Sequence, residues 1–529
     1  MKTIMSLTRK LGIFHLTLAS VTGMIGSGWL FGEMYAASIA GPYSIISWII
    51  GSMMMMALAL VFAELGGKVP VGGAAARFPL LSHGKAASSL NGWALFLGYV
   101  STPPLEAIAS VSYLNFLTGG LINLAGALTT TGIGVAVLFL LAFFALNTFG
   151  IGAISKTNSI LAVAKLIIPA LTAIVLMLTY FSFSNFTVGT TSYPGAEAIF
   201  IAIPNAGIVF SFLGFRQAIE LSGEAKNPGR TIPIAVVLGI VLSTAIYILV
   251  QVAFIGSMQW NKIPFGDWAQ LQTSSFASGP LVVLATALGI GWLALLLLGD
   301  GVFSPLGTAS IYETTTSRVT YALSEIGLFP AIFKRLNRHS VPATAMAFDI
   351  ILMILFLIPA PSWTQLVALS SDLAIIAYAS GPVALMVLRR AGYDAGNNWF
   401  RLPFASTIAP IAFISAILLV YWSGYPTTLY MSIVAIAGLA LFFIPIYRHT
   451  SSFSDIKGAL WFIAILIAVP VVSYLGSEGS NVIGFPYDVA VMGAVSLAIY
   501  WIALRTGLST ESVEEQRNNF MAVSDLLTQ

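Results

Sequence analysis

The chain of 529 residues divides into long hydrophobic runs joined by short polar or charged connections. A helix needs about 20 apolar residues to cross a bilayer. By that measure fourteen runs qualify, near 11–36, 41–66, 89–117, 132–150, 156–182, 197–222, 231–257, 282–318, 342–360, 364–388, 404–423, 427–447, 457–475 and 486–505. The eighth is long enough to include a loop helix. The pattern predicts an all-α integral membrane protein of about 14 transmembrane helices.

Two of these runs are interrupted. Gly23-Met24-Ile25-Gly26-Ser27-Gly28 cuts the first, and Ser211-Phe212-Leu213-Gly214-Phe215 cuts the sixth. In hydrocarbon every backbone N–H and C=O needs an internal partner, so a break is tolerated only where it lines protein or a water-filled cavity. Paired breaks at corresponding places in two halves point to inverted repeats with a transporter's binding site between them. The implied units are 1–182 (spans 1–5), 183–390 (spans 6–10), 391–506 (four accessory spans) and a cytoplasmic tail, 507–529.

Composition agrees: 58% of residues are hydrophobic and 8% charged, with a mean hydropathy of +0.92. Soluble domains carry about 25% charged residues. With no cysteine there is no disulfide and no thiolate metal site. The basic start Met1–Lys10 leads into the glycine-rich break, not into a small-residue cleavage site, so the first helix reads as uncleaved. With the N-terminus inside, 20 of the 23 Lys and Arg fall on the cytoplasmic side. Lys262 falls outside, and Lys165 and Arg216 fall within spans. That asymmetry follows the positive-inside rule and puts both termini in the cytoplasm of a cell-membrane protein. The outer sequon Asn185-Phe186-Thr187 reads as a chance match. No low-complexity run, nucleic-acid patch or Walker loop occurs, which disfavours ATP-driven transport. An enzyme is disfavoured, and no cofactor or metal is expected. The expected partners are a small amino acid, protons and the bilayer, with the protein a monomer or weak homodimer.

The chemistry of the breaks follows from their residue types. Gly26, Ser27 and Gly28 let the backbone leave helical dihedrals and approach a ligand closely. The half-helix beginning near Trp29 presents free N–H groups and a positive dipole end, a natural carboxylate site. Carbonyls near Phe210 and Ser211 can accept from an ammonium group. Amides facing carbonyls in this way fit an α-amino acid. The competing reading is that the glycines only permit close helix packing.

Here the chain resembles the amino acid–polyamine–organocation superfamily. Gly23-Met-Ile-Gly-Ser-Gly-Trp-Leu-Phe31 resembles its first-helix signature, and Phe210-Ser-Phe-Leu-Gly-Phe215 with Gly223-Glu-Ala-Lys-Asn-Pro228 resembles the sixth. The segments Ala63-Glu-Leu65, Pro70-Val-Gly-Gly73 and Arg77-Phe-Pro79 fit the loop. Ser317-Arg-Val-Thr-Tyr-Ala322 and Gly327-Leu-Phe-Pro330 fit the end of the eighth span. The branch it most resembles is the prokaryotic one containing an aspartate–proton symporter. The resemblance implies a LeuT-like 5+5 inverted repeat with helices 1 and 6 broken. With it, the candidate substrate contacts are Met24, Ile25, Gly26, Ser27, Gly28, Thr102, Phe210, Ser211, Leu213, Gly214 and Tyr312, with Phe210 as a gate, and Arg216 is added on the chemistry of its own side chain. Many members carry an acid where this chain has Arg216, so that acid's gating or pH-sensing role does not carry over.

Ionisable groups at bilayer depth cost at least about 2.5 kcal/mol by insertion scales and are functional candidates. Lys165 lies nine residues past Lys156, about 14 Å along a helix, near mid-depth. The resemblance places a fifth-helix lysine in proton-coupled members where sodium-coupled relatives hold a cation. Lys165 is therefore the expected cation substitute, with Glu106 and Asp300 as further proton-coupling candidates; the alternative is a permanent ion pair. Asp300, Ser304 and Thr308 are spaced by four and share a helix face. Arg216 has two candidate partners, a substrate carboxylate and Glu220 at i+4. Glu313 and Asp372 also fall within spans, while Glu33 and Glu64, nearer span ends, read as solvated. His15 and Asp349 stay unassigned.

The leading function is proton-coupled symport of an amino acid by alternating access, leaning to aspartate or glutamate. The alternative is an amino acid or polyamine exchanger without net proton flux. A non-transporting sensor would need a soluble signalling domain, and a channel a continuous polar pore; neither is apparent.

Overall fold

The computed structural model describes residues 11–71, 73–123, 126–148, 151–187, 195–260, 267–339, 341–358, 362–393, 399–447, 453–516 and 518. The side chains of Lys2, Arg9, Lys10, Lys156, Lys262, Arg448 and Arg517, part of the charge asymmetry, lie outside the described residues, as does Gly72.

Helices α1 (Ile13–Met24) and α2 (Gly28–Ala40) make the first, broken element. Then come α3 (Ser44–Lys68), α4 (Ala74–His83), α5 (Lys85–Val100), α6 (Thr102–Thr118), α7 (Thr130–Thr148) and α8 (Ile151–Thr179). The second broken element comprises α9 (Gly195–Asn205), α10 (Ile208–Phe212) and α11 (Gln217–Glu220). It is followed by α12 (Pro228–Gly256), α13 (Pro280–Ala287), α14 (Gly291–Glu325), α15 (Ala343–Phe356), α16 (Trp363–Tyr378) and α17 (Ser380–Arg390). The chain continues through α18 (Ala405–Tyr421), α19 (Thr427–Ile436), α20 (Leu439–Tyr447), α21 (Leu460–Leu475) and α22 (Tyr487–Thr506). Among the described residues there is no strand, only the isolated bridges Leu11–Ala225 and Ile122–Leu128.

Among the described residues, nine helices are long and apolar enough to cross a membrane, ten with the bent pair, and four shorter apolar helices accompany them. Every run predicted from hydropathy overlaps a helix or a broken pair. The long eighth run separates into the loop helix α13 and α14, and the third bends at Ser101 before Pro103 and Pro104. Side chains such as Leu138, Ile167, Leu178, Ile351 and Trp501 are exposed, as suits helices bathed in lipid. Polar groups turn inward, where α1 packs on α8, α12 and α14 and α6 packs on α14.

Three sequence readings change. Glu33 and Glu64 are buried, not solvated. Glu64 ends α3 under α17, where it meets Lys68 at 2.9 Å, Arg389 at 2.5 Å and the Leu402 N–H at 2.7 Å. Glu33 lies in α2, a half-helix packed on nearly every side, so a position near a span end is not a wet one. The sharp bend of the second broken element, 51°, falls at Ala206–Gly207 and not within Ser211–Phe215. Gly207 takes φ of +78°, and a side chain there would run into Trp363. The expected break instead winds into a 3₁₀ turn over Leu213–Arg216. The sequon asparagine is occupied: Asn185 Nδ2 donates to the carbonyls of Ile255, Gly256 and Met258 at 3.0, 3.1 and 2.7 Å.

Candidate substrate and coupling site at the helix breaks

Helix α1 ends with the Ile25 N–H on Val21 O at 2.8 Å, and Gly26 then folds back onto Met24 O at 3.0 Å. Ile25, at φ −84° and ψ 82°, makes an inverse γ-like turn. Helix α2 restarts with Leu30 N–H on Ser27 O. The last carbonyls of α1 and the first amides of α2 are thereby left for other partners.

Side chains from four other helices fill those positions. Lys165 Nζ from α8 donates to Thr22 O at 3.0 Å and to Thr308 Oγ1 at 2.6 Å. Thr308 on α14 also reaches Thr22 O at 2.9 Å, and one turn earlier Ser304 Oγ lies 3.5 Å from Ile25 O. Tyr247 OH on α12 donates to Met24 O at 2.8 Å and Ser211 O at 3.0 Å, tying the two breaks together. The Ser27 N–H donates to Glu106 Oε2 on α6 at 2.8 Å. Gly26 faces the Glu106 carboxylate and Thr308 Oγ1 so closely that a Cβ there would collide with both. Lys165 is 1% exposed and Glu106 0%; the two act electrostatically on each other, and Asp300 acts on Lys165 as well. Lys165 is thus bound to backbone and hydroxyl oxygens, with carboxylates nearby but no direct ion pair among the described residues.

The breaks also pack backbone to backbone. Gly214 lies against Gly23 and Met24 N, and Gly28 lies against Ser211, so substitution at either glycine would force the elements apart. Gly23, Gly28 and Gly214 allow close packing, while Gly26 faces polar groups. Ser211 Oγ bonds back to Gly207 O at 2.8 Å, and Leu213 O accepts from Tyr378 OH at 3.3 Å. Phe210 is buried beside Trp363, which stacks on Tyr35 and Phe31 and donates Nε1–H to Ser27 Oγ at 2.8 Å.

Arg216 sits just beyond. Its Nη2 meets Glu220 Oε1 at 3.2 Å, the intrahelical partner. Its guanidinium lies 4.1 Å from the Tyr378 ring centroid, 4.8 Å from Phe62 and 5.7 Å from Tyr99, a cation–π box. Tyr312 packs edge-on to Tyr99 at 5.5 Å. Thr102 Oγ1 donates to Gly98 O of the preceding turn at 3.0 Å.

Comparison with known proteins is decisive for the family. The amino acid permease family model matches residues 11–442. This chain belongs to the amino acid permease family. A glutamate/serine transporter, AimA, of Bacillus subtilis is 38% identical over 97% of this chain and 96% of its own length. An aspartate-proton symporter of the same organism is 33% identical over 96% of this chain and 98% of its own. A putrescine transporter, PotE, of Escherichia coli is 25% identical over 82% of this chain and 96% of its own. The permease is accordingly an all-α membrane protein of a transporter family, not an enzyme.

Sequence reasoning missed Tyr247, Trp363 and Tyr378. A tyrosine hydroxyl amid an apolar span needs a partner, and that signal could have singled out Tyr247 and Tyr378. Trp363, near a span end, looks like any interfacial tryptophan.

Proposed function

We propose that this permease is a secondary transporter in which proton symport drives uptake of an amino acid, acidic in preference. The observation that carries the reading is the Lys165 ammonium seated between Thr22 O of the first break and Thr308 of α14. A protonated lysine there bridges α1, α8 and α14 as a bound cation would. Loss of its proton removes the charge and turns two charge-assisted hydrogen bonds into weaker neutral ones, which loosens the helices enough to move. Asp300, close enough to act electrostatically on Lys165 and sharing the face of Ser304 and Thr308, is the proposed outer proton relay.

In this reading the substrate's carboxylate binds the amides of Ile25–Gly28, its ammonium binds carbonyls of Phe210–Gly214, and Phe210 closes over it. Arg216 Nε and Nη1, without hydrogen-bond acceptors among the described residues, supply the donors for a side-chain carboxylate. Two of its relatives, one named for glutamate and serine and one for aspartate and protons, support that preference. Fourteen spans, two inverted repeats and inward termini belong to the same proposal, as does a cell-membrane location. An exchanger without proton flux fits less well, because it leaves the position of Lys165 without a purpose.

The test is uptake of aspartate, glutamate, serine and putrescine into proteoliposomes, with and without an imposed inward proton gradient. Gradient-dependent accumulation of an acidic amino acid is expected. Equal uptake without the gradient removes the symport reading, and failure of acidic amino acids to compete removes the role given to Arg216.

A further inference from the structure

Glu106 occupies the very amide that the proposed reading assigns to the substrate's carboxylate. Its Oε2 accepts the Ser27 N–H at 2.8 Å, the first free donor of α2, where the helix dipole is positive. Its Oε1 has no hydrogen-bond partner among the described residues, and the residue is 0% exposed. Gly26 has no side chain to stand between this carboxylate and the break. A buried glutamate reaching across from α6 therefore presents to α2 the same group that an amino acid would bring.

We propose that Glu106 is an internal placeholder for the substrate carboxylate, and that binding exchanges one for the other with uptake of one proton. This rests on the amino acid reading above and adds the coupling step to it. Substrate carboxylate takes the Ser27 N–H; Glu106 Oε2 loses it and gains a proton from solvent. No bond to carbon changes, and the number of negative charges at the break stays constant. The proton is required by the surroundings. A displaced Glu106 carboxylate would be buried without any donor, since Oε1 already lacks one, and would face a second carboxylate. Protonated, it can donate its O–H to the incoming carboxylate.

The titratable groups around Glu106 each have a partner or place of their own. Lys165 on α8 is committed to Thr22 O and Thr308. Tyr247 on α12 donates to two break carbonyls, and Tyr312 on α14 packs on Tyr99. Asp300 on α14 faces Lys165, and Asp372 on α16 is bound by Ser423 Oγ at 2.6 Å.

The experiment measures binding of L-aspartate, L-glutamate and L-serine to the purified full-length permease across pH 5–8, with proton uptake read in weak buffer by a pH indicator. For the wild type, about one proton is expected per molecule bound, with affinity falling about tenfold per pH unit in the upper part of the range, as one-proton linkage demands. In Glu106→Gln, which keeps the shape but not the charge, binding persists with no Glu106-linked proton uptake and a flattened pH dependence. Wild-type binding that takes up no proton overturns this inference and leaves the amino acid reading intact. So does a Gln variant whose proton uptake and pH slope match the wild type. Absence of binding by every amino acid in the wild type overturns the amino acid reading and the placeholder with it. The wild-type measurement decides the matter even where the variant fails to fold.

Discussion

The two helix breaks solve the same problem by opposite means. At the first, freed backbone groups are met by charged and hydroxyl side chains from α6, α8 and α14. At the second, the bend lies earlier, at Gly207, and the chain then winds on with neutral hydroxyls as its partners, Tyr247 at Ser211 O, Tyr378 at Leu213 O and Ser20 at Phe215 O. The charge at the second break is Arg216, which is held by Glu220 at i+4 and by three aromatic rings. A break satisfied by titratable groups can respond to protons. In the proposed cycle, one satisfied by hydroxyls and close packing is the fixed wall against which the other moves.

This contrast puts the largest expected effect at the first break. Lys165→Ala should abolish proton-driven accumulation in proteoliposomes while leaving exchange of preloaded substrate; persistence of accumulation would sink the coupling role. Next is Arg216→Ala, which strands the Glu220 carboxylate in the core. Breaking a buried pair costs about 3–5 kcal/mol, visible as a lowered unfolding temperature in detergent. Replacing both partners, Arg216→Met with Glu220→Leu, should recover much of that stability. If the single change is harmless, the second break is not the rigid wall described here.

Smaller effects separate packing from chemistry. Gly214→Ala drives a methyl into the backbone of Gly23, where overpacking typically costs about 1–3 kcal/mol. Its expected signature is lower stability with transport falling in step. Thr308→Val keeps the shape of the residue but removes the hydroxyl that Lys165 shares with Thr22. About 1–3 kcal/mol is expected for stranding the partners, and the accumulation ratio should fall more than the unfolding temperature does. Trp363→Phe should be mildest, costing about 1 kcal/mol for one hydrogen bond to Ser27 and raising the substrate concentration for half-maximal uptake several-fold. A loss as large as that of Lys165→Ala would mean that the aromatic layer, not the charged break, governs the cycle.

Much of this was legible from the chain. The intramembrane positions of Lys165, Glu106 and Arg216, and the four-residue spacing of Asp300, Ser304 and Thr308, need only hydropathy and helical periodicity. What was misread shares one cause. Glu33 and Glu64 lie near span ends, and the axial position of a residue does not reveal whether a neighbouring helix covers it. The displaced bend at Gly207 was hidden for a similar reason: a glycine run marks where a helix can open, while packing against Trp363 and Val367 of α16 decides where it does.

By itself, then, the sequence determined that this is a helical membrane protein, that two of its helices are interrupted, and which charges lie at bilayer depth. Those follow from local rules, because in lipid the backbone must bond within its own helix and every charge there must be accounted for. Only the tertiary structure decided that Lys165 meets Thr22 and Thr308, that Arg216 rests in an aromatic box, and that Glu106 holds the amide of Ser27. Those partners stand 79 to 143 residues apart where Glu106 and Lys165 are concerned, and their meeting depends on how whole helices pack rather than on any local signal.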